Sequence, residues 1–336
     1  MKYSLLTEEG NPAAASPEIR EGSLVLTVLN EELSLPSFLH SIAEQRVLPN
    51  EIVVVDGGST DDTVEQLRSW APPAGCTLIV LEQPGANISE GRNLAVAHAS
   101  SDRILVTDAG TILDSEWSAL MLAAFDEGSS PDVIGGFFRP TGRTLVERTI
   151  AFAITPNVME IDGSKFLPSS RSLGFTRQAW SNAGGYPEWL DYCEDLLFDL
   201  RMKQLDLRFT FVADAVVTWS ARSNIASFMK QYFRYARGDG KANLWAKRHA
   251  ARYAAYTAGL SLLALSFAQP LALVLLVGAA GAYLAKFWRR LWRGREGFGY
   301  GLFAGLALAP VVVVAGDLAK MAGYPAGISW RRRRFI

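Results

Sequence analysis

With two cysteines and three histidines in 336 residues, this chain has little material for a disulfide framework or a zinc site. Cys76 and Cys193 are too few to staple a secreted fold, and His40, His98 and His249 stand without ligand spacing between them. Cys193 lies beside an acidic pair but has no nearby histidine, so it reads as a packing residue and not as a nucleophile. No G-x-x-x-x-G-K-[S/T] loop and no helix-opening G-x-G-x-x-G is present, which removes the phosphate-loop hydrolases and disfavours a dinucleotide dehydrogenase. The first 18 residues hold one lysine and no apolar run, so no secretory signal is expected and the front of the chain should stay in the cytoplasm.

Acidic side chains are scarce in one place only. Residues 221–336 carry three Asp+Glu against 18 Lys+Arg, whereas residues 1–220 carry 31 against 15. The acidic front argues against a nucleic-acid surface, which needs clustered cations. The basic rear is interleaved with long apolar runs, a pattern of membrane anchors with positive-inside flanks. The expected partner is therefore a membrane, and no nucleic acid.

Three runs finish alike: residues 24–32 read LVLTVLNEE, residues 52–63 IVVVDGGSTDDT and residues 103–111 RILVTDAGT. A short aliphatic run ending in Asn, Asp, Gly or Thr is how a buried parallel strand presents ligand-binding groups at the carboxyl edge of an open α/β sheet. Helices at 33–45, 89–99 and 115–125 and strands at 77–81 and 104–107 continue the alternation. A further helix is expected from Ser59, with Ser-Thr-Asp-Asp as cap and acidic first turn. Together they predict a mostly parallel sheet with helices on both faces. After residue 133 the rhythm breaks into loops, including a Pro/Ser/Arg segment at 168–172, where acceptor specificity is expected.

Residues 1–21 read as a mobile tail, 22–222 as the α/β catalytic domain, 223–252 as a basic amphipathic interface helix, and 253–336 as a membrane domain. Within the last, residues 253–286 are nearly uncharged and broken at Gln269-Pro270, which predicts a hairpin of two short spans with both ends in the cytoplasm. The next apolar run, about 298–322, is interrupted by Pro310, Asp317 and Lys320. If it crosses the membrane once, Arg331 to Arg334 fall outside, against the positive-inside rule; if it lies in the interface, they stay inside.

Over residues 22–245 these motifs, in this order, resemble the inverting family 2 glycosyltransferases, whose nucleotide-diphospho-sugar transferase fold is termed GT-A. The resemblance implies that Thr27, Asn30 and Glu31 lie beside the base and ribose, and that Asp56 hydrogen-bonds the base, with uracil favoured. It implies that Arg92 and Asn93 lie near the diphosphate and that Asp108 is the first acid of an Asp-x-Asp metal motif. Glu194 and Asp195 match an acidic pair whose second member is the catalytic base. Gln231, Arg234 and Tyr235 match a Gln-x-x-Arg-Trp motif that closes over diphosphate and acceptor. Two positions depart from the pattern: Gly110 stands where the second metal-motif Asp is usual, and Gly57 where Asp-Asp-Gly-Ser has its second acid.

Glycosyl transfer must stabilise a diphosphate leaving group and remove a proton from the acceptor. A divalent cation, Mg²⁺ or Mn²⁺, on Asp108 would serve the first need, since such ions manage with one or two carboxylates when phosphates and water complete the shell. Asp195 as base would serve the second, and Arg234 suits two-pronged phosphate binding. The expected function is a multi-pass transferase of the cytoplasmic membrane. It would move sugar from a nucleotide-sugar donor, a UDP-sugar first, to a hydroxyl of a lipid, lipid-linked or glycan acceptor. Two other readings stay open: transfer to a polyprenyl phosphate, which needs no base, and a non-catalytic membrane scaffold that lost metal chemistry at Gly110.

Overall fold

The computed structural model describes residues 17–128 and 130–335. Strands β1 (Glu18–Val28) and β2 (Val47–Asp56) pair in parallel, flanked in parallel by β3 (Thr77–Glu82) beside β2 and β4 (Arg103–Val106) beside β1. Beyond β4 the directions mix. β5 (Thr111–Leu113), β6 (Val133–Thr141), β7 (Leu173–Thr176) and β8 (Phe209–Ser220) complete one eight-stranded sheet of order β3-β2-β1-β4-β7-β6-β8-β5. Both joins of β7, to β4 and to β6, are antiparallel; β8 is parallel to β6, and β5 antiparallel to β8.

The strand runs are continuously apolar because both faces are covered. Leu24, Leu26 and Val28 of β1 enter one core layer with Phe38, Ile52, Val54 and Trp117, whereas Val25 enters the other with Val53, Val55, Val106 and Phe198. Each such side chain taken fully out of water contributes about 1.5–3 kcal/mol. The covering helices are α1 (Leu35–Ala43), α2 (Thr63–Ser69), α3 (Ile88–His98) and α4 (Trp117–Ala124), followed by α5 (Leu145–Ile154), α6 (Arg177–Asn182) and α7 (Glu194–Gln204).

Two local expectations change. Strand β1 begins at Glu18, paired with Val47, so residues 18–21 of the expected tail are strand; residues 1–16 lie outside the described residues. Helix α2 starts at Thr63 and not at Ser59, without a side-chain cap at Asp62, because Ser59 and Thr60 are drawn into bonds with Asp56 and Asn30.

The rear of the chain is helical: α8 (Ile225–Lys241), α9 (Ala246–Ser266), α10 (Pro270–Arg293) and α11 (Leu302–Phe335). Helices α9 and α10 form a hairpin that turns at the expected Gln269-Pro270 break, and Pro270 opens α10 where its missing N–H costs nothing. Its tip is bare: Phe267 is 88% exposed and Leu260 and Leu271 each 67%. By length and composition, two helices among the described residues suffice to cross a membrane, Pro270–Arg293 and Gly299–Arg334.

The second of these does not stand apart. It continues through Pro310 and packs along α8 and α5. Glycines let the α8 and α11 backbones touch: a Cβ on Gly323 would meet the Phe233 carbonyl oxygen at 2.2 Å, and one on Gly240 the Tyr324 carbonyl oxygen at 2.3 Å. Both ends of α11 rest on the α/β domain, Leu302 in a cluster with Ala153 and Phe152, and Trp330 stacked on Trp189 with centroids 6.1 Å apart.

Candidate active site

Strands β1 and β2 end side by side, Val28 opposite Asp56. The chain leaves β1 through Asn30 in the left-handed region (φ 55°), where Asn is among the tolerated residues. The Asn30 amide donates to Ser59 Oγ (2.9 Å) and its side-chain oxygen accepts from the Thr60 amide (2.9 Å), while the Glu31 amide donates to Thr63 Oγ1 (2.8 Å). Asp56, 2% exposed, accepts from the amides of Gly58 (2.8 Å) and Ser59 (2.9 Å). The two loops are thereby laced into one rigid edge.

Next to it opens a cavity of ≈ 200 Å³ lined by Thr27, Glu31, Val55, Gly57, Asn87 and Gly91. Two glycines set its shape. A Cβ on Gly91 would lie 2.5 Å from Thr27 Cγ2, so α3 approaches β1 only because the residue has no side chain. A Cβ on Gly57 would press on the Ala86 carbonyl oxygen at 3.1 Å.

Arg92 on α3 is 2% exposed and joins two distant acids. One guanidinium nitrogen donates to Asp108 Oδ1 (2.8 Å) and another to Glu194 Oε1 (2.9 Å), and the plane lies 5.2 Å from the Tyr186 ring centroid. Asp108, just past β4, is the more open partner, its side chain 31% exposed, with Arg171 Nε 3.8 Å from its second oxygen. Arg171 is stacked over Trp219 (4.9 Å) and Phe138 (5.6 Å) and feels the charges of both Asp108 and Asp195. Burial, and then the charge of Asp195, raise the Glu194 carboxyl to about 7, Arg92 offsetting them in part.

The acidic pair opens α7 after Cys193, which takes a left-handed conformation (φ 65°). The Cys193 thiol donates to the Tyr235 carbonyl oxygen (3.1 Å), and burial pushes it well above the ordinary thiol range, as suits a packing residue. Helix α8 is clamped onto this loop: Lys241 Nζ lies 2.7 Å from Asp191, Arg237 bonds the same carboxylate, and a Cβ on Gly238 would meet the Tyr192 carbonyl oxygen at 2.3 Å. Gln231 donates to the Tyr235 hydroxyl (2.7 Å), and Arg234 lies over the Tyr192 ring at 5.3 Å with no carboxylate partner among the described residues.

Residues 23–175 match the family model described as Glycosyl transferase family 2. This chain carries a family 2 glycosyltransferase domain. It is an enzyme, a glycosyltransferase. It is 26% identical over 230 residues to the succinoglycan biosynthesis protein ExoA of Rhizobium meliloti (strain 1021), covering 65% of this chain and 68% of that protein. To the glycosyltransferase AglE of Haloferax volcanii it is 23% identical over 228 residues, 66% of this chain and 73% of the other. Among solved structures, mannosyltransferase PcManGT from Pyrobaculum calidifontis, in complex with GDP-Man and Mn²⁺, shares the fold at a TM-score of 0.54. The two are 18% identical over 93% of this chain and 91% of that one.

Of the residues singled out in the enzyme's sequence, Asp108, Arg92, Glu194 and Asp195 share one cluster; Thr27 and Glu31 line the ≈ 200 Å³ cavity. Gln231 and Tyr235 line a separate ≈ 130 Å³ cavity with Arg171. Asn93 faces elsewhere: its amide holds the loop before α7, donating to the Tyr186 carbonyl oxygen (2.9 Å) and accepting from the Tyr186 amide (2.8 Å). Among the described residues no group of three His, Cys, Asp or Glu converges to hold a metal.

Sequence reasoning missed Arg171 and Asp199. Asp199, one turn after Asp195, is fully buried with neither oxygen hydrogen-bonded, and burial, then the charge of Asp195, push its carboxyl well above the ordinary range. A carboxyl whose folded pKa lies above its unfolded value of about 3.9 costs stability above that pH, increasingly until the folded pKa is passed. Asp199→Asn is therefore expected to raise the unfolding free energy by more than about 1 kcal/mol at pH 8 and to change it little at pH 4. Chemical unfolding in detergent at both values checks this, and equal gains at both would show that Asp199 does not titrate.

Proposed function

We propose that the enzyme is a membrane-anchored inverting glycosyltransferase that takes a nucleotide sugar, a UDP-sugar first, and transfers the sugar to a hydroxyl of a lipid-linked acceptor. The observation that carries this reading is the Arg92 bridge, which gathers Asp108 and the Glu194–Asp195 pair beside the strand-edge cavity. Thr27, Asn30, Glu31 and Asp56 form the nucleoside end, and Arg234 on the clamped helix α8 faces the diphosphate. The acceptor oxygen attacks the sugar C1 from the side opposite the diphosphate. The C1–O bond breaks with its electron pair leaving on the diphosphate, and Asp195 takes the hydroxyl proton.

Asp108 suits a divalent ion as a single hard oxygen ligand: Arg92 holds Oδ1, and Oδ2, 3.8 Å from Arg171 Nε, accepts no hydrogen bond among the described residues. When bound, Mg²⁺ or Mn²⁺ would neutralise charge on the diphosphate. The exposed Gly110 has room for the missing acid, with nothing within 4 Å of a built Cβ and no left-handed backbone. Gly110→Asp is expected to leave stability within about 0.5 kcal/mol and to lower the Mn²⁺ concentration for half-maximal activity several-fold. An unchanged Mn²⁺ titration would place position 110 away from the ion.

For the anchor, the apolar part of α9, residues 253–266, reaches about 21 Å at ~1.5 Å per residue, short of the ~30 Å bilayer core. We read the α9–α10 hairpin as dipping into the membrane from the cytoplasmic side, with Arg289 and Arg293 at its base among the headgroups. Helix α11, anchored on the domain at both ends, lies along the same side. Turnover of nucleotide sugars in detergent, with the anomeric configuration of the product read by NMR, tests the reaction; a product that keeps the donor's configuration overturns inversion.

A further inference from the structure

Where the hairpin base meets α8, α11 and the chain after α5 lies a half-open cavity of ≈ 430 Å³. Its wall carries five cations, Arg248, Arg252, Lys286, Arg290 and Lys320, and one carboxylate, Asp317. Asp317 is 3% exposed and is engaged by Arg252 (2.9 Å), while Arg290 pairs outward with Glu160 (2.8 Å). Five cations against these two acids leave the cavity about three charges positive. Arg248 and Lys286 have no carboxylate partner among the described residues. Cations that merely meet lipid headgroups extend outward toward the interface. Here α9, α10 and α11 each turn theirs into one concavity, where the low dielectric strengthens their attraction for an anion.

The cavity continues toward the reaction centre. Ile154, Pro156 and Tyr232 also line the ≈ 130 Å³ cavity whose far wall is Gln231, Tyr235 and Arg171, the last 3.8 Å from Asp108. On the other side stands the bare apolar hairpin, with Phe267, Leu271 and Val274 exposed. We propose that this cavity binds the diphosphate of a lipid-linked acceptor, with the lipid chain along the hairpin and the acceptor sugar in the smaller cavity facing Asp195. A doubly charged diphosphate diester suits a surplus of about three cations better than a singly charged phosphodiester does. The inference rests on the transferase reading and names the acceptor of that same site.

Farnesyl diphosphate serves as a short lipid-diphosphate probe, titrated calorimetrically into the full-length protein in detergent with the donor site filled by UDP and Mn²⁺. Saturable binding that farnesol does not reproduce is expected. Arg248→Gln combined with Lys286→Gln should weaken it at least tenfold and leave UDP affinity within twofold. The single variants, each expected to weaken binding several-fold, carry the test if the double variant does not fold. Inorganic diphosphate binding as tightly as farnesyl diphosphate would mean a free-anion site and overturn the lipid assignment. Equal farnesyl diphosphate affinity in wild type and variants would overturn the cavity assignment. Failure of the wild type to bind UDP would count against the donor reading instead, because the farnesyl diphosphate titration reads the cavity without turnover.

Discussion

Asp195→Asn is expected to lower kcat by about 10²–10⁴-fold, the usual contribution of a positioned general base, with UDP affinity unchanged. The amide keeps the size of the side chain and loses only the ability to accept a proton. Asp195 stands at the start of α7, and its neighbour Glu194 is held near 7 by burial and by the charge of Asp195. The Glu194 carboxylate, the form that pairs with Arg92, should therefore fill in around neutrality. The kcat of the wild type is accordingly expected to rise with pH through about 7. In Glu194→Gln the rise should be lost, because the carboxyl that titrates near 7 is gone. Steady-state kinetics from pH 5 to 9 on both variants reads these effects. Full turnover in Asp195→Asn would mean that the acceptor arrives already nucleophilic, as a phosphate does.

The parallel half of the sheet was legible because its strands are buried on both faces, so an uninterrupted aliphatic run ending in Asp56 or Asp108 marked both the strand and its functional edge. The mixed half was not: β7 contributes four residues and β5 three, too few for a period to show. Among the site residues, Asp108 and the Glu194–Asp195 pair could be found locally, but not the bond that joins them, since Arg92 and Glu194 are 102 positions apart. Arg171 had only one weak signal, an arginine among prolines and serines before a short strand. Helix α11 shows the limit of hydropathy, which does not distinguish a bilayer from a protein partner. The better clue was the spacing of Gly323 and Gly327, small residues that let two helix backbones touch. Asp199 left no trace, because a buried acid and a solvated one read alike in a helix.

Arg92→Met is expected to lower stability by about 3–5 kcal/mol at pH 8, the cost of leaving the buried Glu194 carboxylate without its cation, and to abolish transfer. Methionine retains much of the arginine stem against Tyr186, so the loss reports charge more than volume. The resemblance implied a residue near the diphosphate; Arg92 is 2% exposed and bonds Asp108 and Glu194, and we propose that it positions these two acids. Arg92→Lys should recover only part of both losses, because a single ammonium does not reproduce a planar fork that reaches two acids at 2.8 and 2.9 Å. The pH dependence carries the sign. Without the cation the Glu194 carboxyl rises further above its ordinary range, so the penalty is present at high pH and fades as the pH falls and Glu194 takes up its proton. The stability gap between wild type and Arg92→Met should therefore narrow from pH 8 to pH 5, and Glu194→Gln in the Arg92→Met background should restore part of the stability at pH 8 without restoring turnover. Chemical unfolding in detergent at the two pH values measures both. A gap below about 0.5 kcal/mol at pH 8, the range of an ordinary surface substitution, would mean that Arg92 does not hold the two acids together and that the cluster is assembled by some other contact.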